Sequence, residues 1–464
     1  MTHTAQDSKE AELELKAAFD DFMNELQAAR DTIDNPQYFP PRPTDRNLAE
    51  GYRYLSGFMH HAIERSFHDD PDFPAFRNAL SIFNKSTIEN CDAIYFYSGI
   101  DGRKNYRITG NVGNHTHWGG NERSGEGPFA PQYLIFEVTT GPLSGDTGDL
   151  TELTPGYRTG FGTLDSSSIK VEGDGTFELL LGPEKPAGYD GNFICTRKGP
   201  SQQDPDAGDR FAEFISGRQL FYDWENEEAI HLEIECIDTA GSHPQPLSAK
   251  KVAANLRNMG ALVRGHMRFW LHFYDVILNC HQTHENNGSP YFMPVNAYNT
   301  PNAASSDTGG GMSTNIYAGG IYDLAEDEAL YIEAEFTGNP VYSSMHLGNM
   351  WGESPDYANH QSSLNLSQMH IGADGKQRWV VAHRDPGVQN WIDTTGLPRG
   401  YLSHRWAYSE LPPKEEWPTI SCRVIAFDQV QAAFGDDQPR VTPQQRRESI
   451  RARQRHVQKR FRVF

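Results

Sequence analysis

The sequence predicts an α+β, mostly β protein: two jelly-roll or sandwich-like β regions, an N-terminal helical cap, a long helix between the β regions and a basic C-terminal helix. Three observations carry this. Beyond Cys91 the chain breaks into short apolar or alternating runs such as "AIYFYSGI", "YLIFEVTT" and "TFELLLG", bounded by glycine, which is strand texture. The 42 glycines and 28 prolines among 464 residues call for many turns. Two stretches, Glu10 to Ala29 and Ser248 to Asn279, instead carry apolar residues three and four apart, as helices do.

In chain order, residues 1–88 read as the helical cap. Its first helix places Leu13, Leu15, Phe19, Phe22, Met23 and Leu26 on one face, and a second starts after Thr44 as N-cap. Residues 89–247 form the first β region. Residues 248–316 hold a helix with Val252, Leu256, Met259, Leu262, Val263, His266, Phe269 and Trp270 inward, then a long aromatic and glycine-rich loop. A loop of that length is usually functional. Residues 317–430 form the C-terminal β domain and 431–464 the basic helix, opened by Thr442 and Pro443. No repeat of 20 to 50 residues is visible, and the two β regions share no obvious motif.

A formal net charge of −21 opposes binding to nucleic acid or anionic lipid. On so acidic a chain the basic helix, with Arg446, Arg447, Arg451, Arg453, Arg455, Lys459, Arg460 and Arg462, is expected to dock on an acidic face or a neighbouring subunit, which makes a homo-oligomer the expectation. Five dispersed cysteines without a Cys-x-x-Cys pair suggest neither a disulfide framework nor a zinc cluster. With no signal-peptide pattern and no apolar run near the roughly 18 residues of a membrane span, a cytoplasmic protein without membrane contact is expected.

"GNVGNHTHWGGNE" holds His115 and His117 two apart, which on a strand would turn both imidazoles to one side, with Glu122 behind them. They read either as metal ligands, completed by His383 or His404, or as histidines that hydrogen-bond at a strand end or line an organic ligand pocket. The sequence thus requires no cofactor and leaves a divalent metal open. His60, His61 and His68 lack the spacing of a zincin helix and read as surface or interface histidines. "HRDPGVQN" matches a kinase catalytic loop, but the glycine-rich loop, strand lysine and Asp-Phe-Gly are missing. A Walker loop and a Gly-x-Ser-x-Gly elbow are missing too, and Ser167 to Lys170 lies in a serine-rich turn. Phosphoryl transfer and standard serine hydrolysis therefore rank low.

"HRDPGVQNWIDTTGLPRGYLSHRW", preceded by "SSLNLSQ" and "DGKQRWVVAHRDPG", resembles the C-terminal signature of the domain-of-unknown-function family numbered 1214. "NCDAIYFYSGIDGRKNYRITGNVG" and "RQLFYDWENE" resemble its longer members. The resemblance spans most of residues 45 to 430 and implies a β-rich fold with jelly-roll character and oligomers. It carries no catalytic residue to these positions. "NHTHW" departs from the family where small or apolar residues are usual. Asp385, Asn390 and Trp391 read equally as a turn with its anchor or as a site.

The expected function is that of an enzyme acting on a mostly apolar organic molecule, a steroid-like or aromatic catabolic intermediate, by elimination, hydration or hydrolysis. His115 or His117 would be the general base, with Tyr106 or Arg107 steadying negative charge. Arg107, Arg218 and Arg405, beside aromatic residues, suit a carboxylate or sulfate or else pair with core-edge acids such as Asp223, and Asp223, Trp224, His383, Asp385, Asn390 and Trp391 complete the expected substrate-binding set. The alternative is a non-catalytic carbohydrate- or small-molecule-binding protein.

Overall fold

The computed structural model describes all residues apart from 1–4, 39–40, 88, 142–143, 145–146, 155, 201–207, 280–292, 304–313, 337, 339, 437 and 462–464. Parts of the aromatic loop at 289–320, and Arg462, lie outside the described residues. No helix among the described residues is long and apolar enough to cross a membrane.

Helices α1 (Ala5–Arg30), α2 (Asp45–Ile63) and α3 (Ala249–Tyr274) form one layer. Thr44 caps α2 by accepting from the Asn47 amide, and Ser248 caps α3 by accepting from that of Lys251, as small hydroxyl residues do. Phe22 and Ala29 of α1 and Tyr54 and Phe58 of α2 pack on Met259, Val263, Phe269 and Trp270 of α3. Leu13, Phe19 and Met23 are exposed instead of inward, because Ala18, Phe22 and Ala29 form the stripe that meets α3. The same core takes in Trp351, Ile321 and Tyr401 from the second β region, so the helices are a layer against it as well as an N-terminal cap.

The strands are β1 (Arg77–Leu80), β2 (Ala93–Gly99), β3 (Tyr106–Asn111), β4 (Tyr133–Thr139), β5 (Gly160–Asp165), β6 (Thr176–Gly182), β7 (Asn192–Cys195), the short pair β8 (Arg197–Lys198) and β9 (Arg210–Phe211), β10 (Phe214–Leu220) and β11 (Leu232–Cys236). They build a sandwich of β1-β2-β10-β4-β5 on β11-β3-β6-β7, with β8 and β9 pairing apart. Strand β1 joins this sheet although it lies within the expected cap. Then come β12 (Ala297–Tyr298), β13 (Asn315–Asp323), β14 (Glu328–Glu335), β15 (Tyr342–Gly348), β16 (Ser363–Asn365), β17 (Gln377–Ala382), β18 (Trp391–Asp393), β19 (Arg399–Ala407) and β20 (Thr419–Ala426). These form a second sandwich, β12-β13-β19-β15-β16 on β18-β17-β14-β20. Alternation buries Phe96, Phe136, Ile108 and Leu179 in the first core and Ile316, Met345, Leu402 and Trp379 in the second.

The two sandwiches are one topology used twice. Strands β2 to β7, β10 and β11 take the places of β13 to β18, β19 and β20 in the same chain order, and in each the small sheet ends on a parallel pair, β6 with β7 and β17 with β18. Side chains repeat as well. Asp165 and Asn365, 200 positions apart, each accept from the amide two residues on, as do Asp174 and Asp374. Asn192 holds both backbone groups of Lys170 and the carbonyl of Glu178, and Asn390 does the same for His370 and Arg378. The two β regions share no obvious sequence motif, so the repeat shows only in the fold. What is duplicated is strand order and a few turn-forming polar residues rather than a continuous motif.

Helix α4 (Val430–Phe434) covers Tyr331 and Val380 on the outer face of the second small sheet. Helix α5 (Pro443–Arg460) lies on the chain's own second sandwich and the end of the first. Arg446, Arg453 and Arg460 recur every seven residues and so share a face, and all three are buried. Arg446 pairs with Asp385 and lies over Trp391, while Arg460 donates to the Cys91 carbonyl and lies over Trp224. Of the two docking surfaces expected for this helix, its apolar and arginine face uses the chain itself. Arg447, Arg451 and Arg455 point to solvent.

Candidate functional site

The structure takes most of the expected site residues apart. His115 and His117 lie in a turn after β3 rather than on a strand, so alternation no longer aims them at one point. The His115 imidazole contacts the Gly113 carbonyl at 3.0 Å; His117 is buried beside the Pro131 carbonyl and Phe129. Glu122 is exposed. His404 lies in the core of the second sandwich, stacked 3.8 Å from Trp406, and His383 is held by Thr394 and the Leu324 carbonyl. Among the described residues no group of three His, Cys, Asp or Glu side chains is placed to hold a metal ion.

Tyr106 is buried in the first core, bonded to the Pro71 carbonyl and the Asp101 amide. Arg107 lies on the exposed face of its sheet, paired with Glu178 and Glu235. Asp223 accepts from the amides of Glu225 and Asn226 in a turn, and Trp224 donates to Asp92 at 2.9 Å. Asn390 is fully buried with its amide committed to backbone, Trp391 donates to the Ala382 carbonyl, and Asp385 accepts from Gly387 and Arg446. Asn192 does the same work in the first sandwich, so the contacts of Asn390 are those of a backbone clamp.

Arg218 and Arg405 are different: the fold brings them together. Arg218 on β10 stands opposite Tyr95 on β2, and Arg405 on β19 stands opposite Tyr317 on β13. They are equivalent positions of the duplicated sheet, on its outer face. At one end these outer faces meet through Ala93, Leu220, Tyr342 and Ala407. Each guanidinium lies near the ring of its own partner, Arg218 at 5.6 Å from Tyr95 and Arg405 at 5.8 Å from Tyr317. Tyr95 and Tyr317 also both lie within electrostatic reach of both arginines. Burial opposes each charge, but Glu137 and the phenols beside Arg218, and the phenols beside Arg405, outweigh it and hold both arginines protonated.

One equivalent position beside the two arginines differs in charge. Arg218 pairs with Glu137 at 3.3 Å. Glu137 stands opposite Ser216, and at the equivalent place on β15, opposite Ser403, the chain has His346. His346 is 1% exposed, and burial, then Arg405 and His404, push its imidazole far below the usual range, so it is neutral. Among the described residues neither ring nitrogen has a hydrogen-bond partner, nor does the hydroxyl of Tyr401, whose ring lies 6.2 Å from it. Sequence reading missed His346 because "VYSSMHLG" reads as an ordinary interior strand. Its only signal is the register that places it where the other half has Glu137.

No family model matches the chain, and no curated protein matches it. Its structure is similar to that of an uncharacterized protein from Burkholderia cenocepacia, with a TM-score of 0.70 and 26% identity over 90% of this chain and 99% of that one. The two chains share this fold over nearly their whole length. A protein from Vibrio parahaemolyticus covers 86% of this chain and 100% of its own, at 10% identity and a TM-score of 0.41.

Buried imidazoles also set the response to acid. His61, His346 and His404 are pushed far down by burial, and His117 and His266 go to about 4 and about 3 for the same first reason. The unfolded chain binds these protons near pH 6.5, so their contribution is full above about 6.5 and is lost as pH falls. Glu89, Asp92, Glu227 and Glu353, raised by burial, oppose this, contributing below the ordinary carboxylate range and losing it as pH rises. Asp69 joins the raised acids and His272 and His456 the lowered imidazoles, so the imidazoles outnumber the acids and the melting temperature should fall between about pH 6.5 and 4.5. A melting series that rises over that interval would contradict the neutral imidazoles.

Proposed function

We propose that the chain is an enzyme that binds a mostly apolar organic molecule through one carboxylate or sulfate group, with Arg405 as anchor, and acts on it by acid/base chemistry. The carrying observation is a pair of equivalent buried arginines set among tyrosine rings, Arg218 beside Tyr95 and Glu137 and Arg405 beside Tyr317, with His346 on the strand next to Arg405. A guanidinium among phenol rings suits an anion with an apolar body. A planar guanidinium takes a carboxylate or sulfate through two parallel N–H donors, and burial strengthens the bond. Tyr95, Tyr317 and Tyr342 supply ring faces for the apolar part. His346 and Tyr401 would move the proton, which replaces the roles first expected of His115 and His117. Elimination, hydration and hydrolysis all fit this arrangement. A metal at His115, His117 and Glu122 forms no part of it, and the cytoplasmic, homo-oligomeric setting stays an expectation.

The second reading, a non-catalytic small-molecule-binding protein, uses the same guanidinium and rings without His346. A thermal-shift screen of aromatic and alicyclic carboxylates and sulfates, with mass analysis of each stabilising compound after incubation, separates the two. The enzyme reading expects conversion by the native chain and, in His346→Gln, retained binding with conversion lower by roughly 10²- to 10⁴-fold. Stabilising compounds recovered unchanged from the native chain would favour the binding protein. A His346→Gln variant that converts at the native rate would remove His346 from the chemistry.

A further inference from the structure

A second group of reactive side chains lies where the chain after β4 meets the middle of α3. The Ser144 hydroxyl and Nδ1 of His266 are 2.6 Å apart, and both residues are buried. Ser144 has φ +66°, a left-handed conformation that a side chain adopts at a cost and keeps only where its surroundings impose it. Those surroundings can be named. The Glu152 carboxylate accepts from the Thr147 amide, the Thr147 hydroxyl and the Gly148 amide. Gly148 then sits so close to α3 that a β-carbon on it would come within 2.6 Å of the Gly265 Cα. Two glycines thus bring the loop onto the helix one residue before His266.

A hydroxyl on a strained turn against an imidazole is how a serine nucleophile is activated. Burial, then the charge of Arg65, holds His266 neutral, with Nδ1 against the Ser144 hydroxyl. Beyond it lies the ring of His61, 5.3 Å away, and neither Nε2 of His266 nor Nδ1 of His61 has a hydrogen-bond partner in the structure.

We propose that Ser144 and His266 are a nucleophile and base that hydrolyse carboxylic esters. The serine oxygen bonds to the acyl carbon as its proton passes to Nδ1 of His266. The bond from that carbon to the alcohol oxygen breaks, and the alkoxide leaves with the proton. Water then adds to the acyl-serine, its proton goes to Nδ1, and the acid departs as the serine oxygen takes the proton back. Ester and water become acid and alcohol with no other reactant. Uncharged esters suffice, so this site does not rest on the arginine seam.

The test uses the full chain with 4-nitrophenyl acetate and butyrate, comparing the native protein, Ser144→Gly and His266→Gln. Glycine suits a positive φ, which counters the loss of the bond to His266, and each variant is judged only if it melts cooperatively. The expected result is hydrolysis above the buffer rate, an acyl adduct on the Ser144 peptide by mass spectrometry, and a loss of about 100-fold or more in Ser144→Gly. Native hydrolysis undiminished in Ser144→Gly, or neither hydrolysis nor an adduct in the native chain, would overturn the proposal. Anion binding at Arg405 should persist in both variants, so failure here leaves the seam untouched.

Discussion

Arg453→Met is expected to lower the unfolding free energy by about 3 to 5 kcal/mol, the usual cost of deleting one member of a buried charged network. Arg453 donates from Nε to the Tyr357 carbonyl at 2.9 Å, from Nη1 to the Ser363 carbonyl at 3.1 Å and from Nη2 to the Ser363 hydroxyl at 2.7 Å. Its guanidinium lies 4.5 Å over Trp224, which in turn donates to the buried Asp92. Burial pushes Arg453 down to about 10, so it stays charged at neutral pH. Methionine keeps most of the volume but strands three acceptors and leaves Asp92 with less positive charge nearby. Asp92 also binds Tyr342 and Asn365 of the second sandwich, so the damage should reach both halves. Urea unfolding measures it; a change below about 1 kcal/mol, the scale of an exposed ion pair, would mean that the helix merely rests on the surface.

Gly352→Ala should cost about 3 kcal/mol or more, from a steric clash added to an unfavourable backbone conformation. Gly352 has φ +74°, and a β-carbon there would fall 1.9 Å from Tyr274 Cζ. Tyr274 cannot swing away: it is 1% exposed, its oxygen accepts from the Thr87 amide at 2.6 Å, and its hydroxyl donates to the Gly352 carbonyl at 3.2 Å. Gly375→Ala is the matched control. It has φ +80° with nothing within 4 Å of the added carbon, so it should lose only the conformational part, about 1 kcal/mol. Equal melting temperatures for the two variants would show that the packing of α3 on residue 352 yields readily.

Much of the fold was legible because alternation and helical spacing are local. Strands such as Tyr133–Thr139 and the helix Ala249–Tyr274 announce themselves within a dozen residues. The duplication was not legible, since Asp165 and Asn365 or Asn192 and Asn390 are equivalent only through their backbone partners. Arg218 and Arg405 stood out by their aromatic neighbours, yet their meeting depends on two sheets facing each other. The convergence of His115 and His117 on one point assumed a strand, and the structure has a turn there, where both imidazoles lie against backbone carbonyls. Ser144 and His266 are 122 positions apart, and no elbow motif marks the serine. Contacts of that range follow from topology, which a single sequence does not display.

The most direct test of the central claim is calorimetric titration of the native chain, Arg405→Met and Arg218→Met with an aromatic carboxylate or sulfate that raises the native melting temperature. With Arg405 as the proposed anchor and Arg218 paired with Glu137, Arg405→Met should lose roughly 100-fold or more in affinity, the scale of removing one partner of a buried charge pair, while Arg218→Met loses far less. Equal losses in both variants would contradict Arg405 as the anchor, and native affinity in Arg405→Met would place the anion elsewhere on the molecule.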